Sequence, residues 1–237
     1  MKSTGKYIGI NQRIPFDVLD AALYRFLDNE TIDKTLILTH LKEFTKGENR
    51  ALKATSYAVQ TLYRQKKYLL ELKKVIDCNA YLKLPESDRK AIILCLLCLT
   101  FPLAYDLLFA LASGFKVQPQ LNRQFINQKM ATLYGSNRTL DIALDALIPM
   151  IIELATVERV KIGIYKLRQK SILTHPFITE FVIYTDIKLS GSKSILIDDL
   201  QSRPWYMFFD INLNENHKYT LFKYSDSRSR QGYLRIN

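Results

Sequence analysis

The chain has 237 residues, 48% of them hydrophobic and 24% charged, a length for one large domain or two small ones and a composition that excludes bulk disorder. Its 34 Lys and Arg against 23 Asp and Glu leave a net charge of +11, which attracts polyanions: DNA, RNA or an anionic membrane face. With only 8 Gly and 7 Pro, a turn-rich all-β fold is disfavoured and long helices joined by short loops are expected.

In chain order, residues 1–15 read as an extended arm with Lys2 and Lys6 but no apolar leader. A helix is expected over 17–27, with Val18, Leu19, Ala22, Leu23 and Phe26 on one face. Another covers 31–44, capped by Asp33 or Thr31, with Ile32, Leu36, Ile37 and Leu41 as its apolar stripe. Gly47 breaks it. Asn49 then caps a long third helix to about residue 76, which buries Leu52, Val59, Leu62, Tyr63, Leu69, Leu70 and Leu72. A further helix starts at Pro85-Glu86-Ser87-Asp88.

Residues 91–112 carry a single charge, Asp106. The length suits a membrane span. Pro102 interrupts the run and Asp106 would be costly in hydrocarbon, so two buried helices meeting near Phe101-Pro102 are preferred and no span is expected. Gly114 and Pro119 mark a loop. Helices follow over 121–134, stopped by Gly135, and 137–148, which Pro149 kinks or restarts. Beyond residue 156 the pattern becomes strand-like: Val160, Ile162 and Ile164 alternate with Lys161, Gly163 and Tyr165. Strands are expected over 181–189, 194–200, 205–213 and 219–224, separated by turns at 190–193 and 214–217.

The charge is blocked. Residues 34–74 hold ten basic and three acidic side chains, 116–138 hold four basics and no acid, and 159–170 hold five basics and no acid. Between them, 140–158 contains Asp141, Asp145, Glu153 and Glu158 and no base. On one long helix Arg50, Lys53, Arg64 and Lys67 share a side, which suits tracking of phosphates; a plain solvated face has the same pattern.

The order helix, turn, helix, strand over 121–167 matches a helix-turn-helix followed by a wing. Ser136, Asn137, Arg138 and Thr139 would open the recognition helix, where polar side chains meet phosphates or base edges. The wing would be 159–167, with Arg159 and Lys161 as its bases. The same unit also occurs as a packing element without a DNA role.

No catalytic motif stands out, and no metal or cofactor site is expected. Cys95-Leu96-Leu97-Cys98 has C-x-x-C spacing but sits inside the apolar run without a second pair, so it reads as core. Three cysteines, Cys78, Cys95 and Cys98, fit a reducing, cytoplasmic compartment. His40, His175 and His217 are scattered singles. Asp186, Asp198 and Asp199 follow apolar stretches and echo a nuclease weakly; solvated turn acids are preferred. Trp205, Tyr206, Phe208 and Phe209 could stack on bases, though alternation would put about half of them in the core. The polar 225–230 segment could meet a polyanion or serve as a linker.

Two regions resemble BrxA-like proteins of bacterial BREX phage-defence systems. One is 21–64, with Asn49-Arg50 and Ala54-Thr55; the other is 85–153, with Ser87-Asp88-Arg89, Phe101-Pro102-Leu103, Asp106-Leu107, Phe125 and 136–147. The resemblance implies a non-enzymatic DNA-binding accessory factor with a winged-helix-like part, whose partners are double-stranded DNA and other defence-system proteins. The tail after residue 174 lies outside it. The expected fold is therefore mainly α with a β-rich C-terminal part: a helical domain at 1–115, then a winged-helix-like unit and short β-hairpins at 116–237. The competing expectation is a scaffold subunit of a defence complex that does not touch DNA.

Overall fold

The computed structural model describes residues 6–213, 217–226 and 232–236. The fold is mainly helical, with a C-terminal part of small strands and short antiparallel hairpins. Helix α1 (Phe16–Asn29) buries the face its spacing predicts. Helix α2 (Lys34–Phe44) starts at Asp33, whose carboxylate accepts from the N–H groups of Thr35 and Leu36 at 2.9 and 3.0 Å. Only Ile37 and Leu41 of its expected stripe are buried; Leu36 is exposed.

The long third helix is two helices, α3 (Glu48–Arg64) and α4 (Lys66–Val75), broken at Gln65. Gly47 occupies the cap position at φ 97°, and Asn49 lies within the first turn. Gln65 is buried and its amide donates to Thr100 Oγ1 at 3.1 Å. The buried stripe also differs from the large side chains expected. Ala51, Ala54, Thr55, Ala58, Thr61 and Leu62 face inward, while Leu52 and Tyr63 are exposed. Small side chains let α3 lie close to its neighbours, and pattern reading weighted towards bulk picks the wrong face.

A short helix, α5 (Cys78–Lys83), leads into α6 (Glu86–Thr100) and α7 (Pro102–Phe115). These two account for the apolar run and meet at 114°. Pro102 sits at the first position of α7, where its missing N–H costs nothing. Among the described residues no single helix is long and apolar enough to cross a membrane. Cys95 and Cys98 are wholly buried in α6, and burial pushes the Cys95 thiol up to about 12 and the Cys98 thiol well above its ordinary value. Gly114 belongs to α7, not to a loop; a Cβ there would meet Leu121 and Phe125 side chains at 2.7–2.8 Å.

Residue 121 lies in a strand, β1 (Gln120–Asn122), before α8 (Arg123–Tyr134). Gly135, at φ 78°, ends α8, and α9 (Arg138–Glu153) continues through Pro149 without restarting. Two strands follow, β2 (Val157–Lys161) and β3 (Ile164–Leu167), turned by Gly163 at φ 75°. They form an antiparallel sheet in the order β1-β3-β2. The alternation expected through Val160 and Ile162 fails at this turn: both are exposed, Ile162 to 94%.

The largest departure is α10 (Pro176–Leu189), a helix where 181–189 reads as a strand. All of 177–187 is buried, against α6 on one side and the C-terminal sheet on another. A helix enclosed all round has no polar face, so the 3.6-residue period vanishes and its β-branched content dominates the reading. The remaining strands are short: β4 (Ser171–Ile172) pairs in parallel with β6 (Phe209–Asp210), and β5 (Ser194–Leu196), β7 (Phe222–Asp226) and β8 (Gly232–Ile236) form an antiparallel sheet in the order β5-β8-β7. Residues 204–207 form a 3₁₀ turn rather than a strand. Trp205, Tyr206, Phe208 and Phe209 are all buried, so none offers a free stacking face. One continuous core runs across residue 115, from α1 through α6 and α7 to α10 and Trp205.

Entry into α10 is expected to depend on pH. His175 Nδ1 accepts from the Phe177 N–H at 3.2 Å as the helix cap, which requires the neutral ring. Burial lowers its pKa below the ordinary 6.5; Asp88 opposes the shift and His217 adds to it. The folded state thus binds fewer protons than the unfolded chain. Stability is complete above pH 6.5 and is lost as pH falls from there through the depressed folded value. Urea unfolding between pH 7.5 and 5 is expected to show this loss, and His175→Asn, which keeps a cap acceptor, is expected to remove that component.

Candidate nucleic-acid interface

The sequence-predicted basic side chains Arg50, Lys53, Arg64 and Lys67 are all exposed. Among the described residues none of the four has an acidic side chain within ion-pair distance, whereas Lys73 pairs with Glu30 (3.1 Å) and Lys74 with Glu71 (2.8 Å). The break at Gln65 removes the single axis assumed for them: Arg50, Lys53 and Arg64 belong to α3, Lys67 to α4. At 3.6 residues per turn, the three on α3 point within about 40° of Tyr57.

Tyr57 is the link to the second predicted surface. It forms one wall of a groove of about 840 Å³ whose other wall is the α8–α9 turn, including Ser136, Asn137 and Thr139. The roof is the N-terminal arm, 6–11, which sequence reading left without a role. Two ion pairs fasten the arm: Lys6 to Asp106 of α7 (2.9 Å) and Arg13 to Glu153 of α9 (3.0 Å). Asp106 also accepts from the Tyr134 hydroxyl at 2.6 Å; burial and this bond push that hydroxyl's pKa well above its ordinary range, so it stays a donor. Ile10 and Ile14 anchor the arm in the core. Tyr57 Oη donates to Asn11 Oδ1 at 3.0 Å.

The four turn residues differ in what they leave available. Asn137 caps α9: its Oδ1 accepts from the Leu140 N–H at 2.9 Å, and its Nδ2 donates to Tyr134 and Gly135 carbonyls at 3.4 Å. That side chain holds the turn. Ser136, Arg138 and Thr139 are exposed. Further along α9, Asp141, Ile142 and Asp145 are exposed on the same side as Arg138, and Asp145 pairs with Arg123 at 2.9 Å. From Asp141 in its first turn onward, then, this helix presents acid.

On the β2–β3 hairpin Arg159 and Lys161 are exposed, and a bulge between them lets neighbouring side chains reach solvent. Lys166 is tied to Glu158 at 2.5 Å. The hairpin is fixed to α8 by the Arg123 N–H, which donates to the Gly163 carbonyl at 2.8 Å.

Protein-family models, curated proteins and solved structures give no match to this chain. The carboxylates that echoed a nuclease do not assemble. Asp186 is buried in α10 and held by Tyr105 Oη (2.6 Å) and Arg203 Nε (2.5 Å), while Asp198 and Asp199 are exposed. Among the described residues no three His, Cys, Asp or Glu side chains form a metal-holding group. The polar 225–230 segment falls largely outside the described residues, as do residues 214–216 of the turn read at 214–217.

Proposed function

We propose that this chain is a non-enzymatic accessory protein that binds duplex DNA, and, on the sequence resemblance alone, that it serves a phage-defence system of the BREX kind. The observation that carries DNA binding is connectivity. Helix α7, strand β1, helices α8 and α9, and the β2–β3 hairpin follow one another, and β3 closes between β1 and β2. We read this as a winged helix, with α9 as recognition helix and Arg159 and Lys161 on the wing. In such units the first turn of the recognition helix meets the duplex. The start of α9 exposes Ser136, Arg138 and Thr139 ahead of Asp141, the acid of its first turn. Arg50, Lys53, Arg64 and Lys67 then supply phosphate contacts beside it.

The test is duplex binding across a salt series. Binding weakens as salt rises, and in the Arg50→Gln, Lys53→Gln, Arg64→Gln, Lys67→Gln variant the log–log slope becomes shallower by about 0.9 for each side chain that meets a phosphate. No duplex binding at low salt, or an unchanged slope, sinks the reading.

One observation favours the scaffold alternative. Asp141, Ile142 and Asp145 give the exposed side of α9 an acidic and apolar character suited to a protein partner. Under that reading Ile142→Lys abolishes partner capture and leaves DNA indifferent.

A further inference from the structure

The groove under the arm has features that phosphate tracking does not need. Among the described residues none of the side chains lining it is acidic. Three are tyrosines, and they differ in what they offer. Tyr134 is buried and bound to Asp106. Tyr57 is half-buried, with its ring edge-on to Phe101 at 5.6 Å between centroids. Tyr7 is 81% exposed although it sits on an arm fastened to the protein body.

Gly9 fixes that placement. It adopts φ 77°, and a Cβ there would lie 3.1 Å from the Tyr7 ring and 3.4 Å from Phe101. The Tyr7 ring thus lies against residue 9, and both residues line the groove. Burial, with a smaller contribution from Tyr7, raises the Tyr57 pKa above its ordinary value. Asn11, which also lines the groove, accepts from Tyr57 through its carbonyl oxygen, and its amide carries two N–H donors besides. An exposed aromatic ring and an amide side chain, in a groove that Lys6 also lines and whose Tyr57 shares α3 with Arg50 and Lys53, match an unpaired nucleobase followed by its phosphates. Every base has a π-face, so stacking needs no sequence, and nearby cations hold the backbone. A duplex end cannot offer such a base without opening; a single-stranded extension can.

We propose that this groove is a subsite for an unpaired nucleobase, stacked on Tyr7, of a single-stranded extension whose duplex is held by the surfaces described above. The proposal rests on the duplex-binding reading and adds a preference to it.

The experiment compares a blunt duplex with the same duplex bearing a short single-stranded thymidine extension, by fluorescence anisotropy at fixed salt. The expected result is roughly 5- to 10-fold tighter binding of the extended DNA, the low end for stacking one base. Tyr7→Ala is expected to abolish that advantage with blunt-duplex affinity unchanged, and Tyr7→Phe to retain it. Tyr7 is exposed, so neither change threatens the fold. Equal wild-type affinity for the two DNAs, or an advantage that survives Tyr7→Ala, overturns the subsite and leaves the duplex reading standing. Failure of the wild type to bind either DNA overturns both.

Discussion

Trp205→Ala is expected to cost about 3–5 kcal/mol, the range for truncating a large, fully buried aromatic. Trp205 is buried to 1% exposure. It packs against Tyr105 of α7 and Phe209, each at 5.3 Å between ring centroids, and its indole N–H donates to the Val182 carbonyl of α10 at 3.1 Å. One side chain from the C-terminal part thus joins two helices that belong to opposite sides of residue 115. Urea unfolding followed by far-ultraviolet circular dichroism should show the helical signal lost at a much lower midpoint in the variant. Trp205 is the only tryptophan, so in the wild type its fluorescence should change over the same urea range as the helical signal. A helical transition unmoved by Trp205→Ala would mean that the N-terminal helices are stable without the C-terminal part.

Asp186→Ala is expected to be nearly as damaging, about 3 kcal/mol in the same measurement. Removing one partner of a buried ion pair leaves the other without compensation. Here the loss strands the Arg203 guanidinium and the Tyr105 hydroxyl together. Arg203 keeps some contact with water, which holds the figure to the lower end. Replacing Asp186 and Arg203 together by leucine should recover a large part of the loss, because the apolar pair leaves no charge unpaired. A single variant within about 0.5 kcal/mol of wild type would show that the bond contributes little beyond its surroundings.

How much of this was legible in the sequence depended on whether an element keeps one wet face. Helix α1 does, and its buried residues follow from spacing alone. The joint at Phe101-Pro102 is legible for another reason: proline cannot donate to a preceding turn but fits the first turn of the next helix. Helix α10 is illegible because Glu180 and Asp186, its only acids, point into the protein and not to solvent. Their partners, the Thr220 and Leu221 N–H groups (2.5 Å each) and Arg203, come from distant segments. The phase of α3 fails because Ala51, Ala54 and Ala58 bury more completely than the larger Leu52.

For the site, the exposed cations and the α8–α9 turn were readable, since charge and capping are local. That Tyr57 joins them was not. Neither was the arm's part in the groove, because its polar contacts are made with residues far along the chain. Asn137 illustrates the difference between residue type and role: the sequence marks it as polar at a helix start, and only its bonds show that the side chain closes the turn.

The arm also imposes an order of events during synthesis. Lys6 and Arg13 find their partners 100 and 140 positions later. The Lys6 pair must wait for α7 and the Arg13 pair for α9, however early Lys6 and Arg13 are made. The groove thus cannot be complete before α9 has been made, although its roof is made at the start of the chain. A growing chain can have α1, α3 and α6 in place and still lack the surface on which a nucleobase would rest.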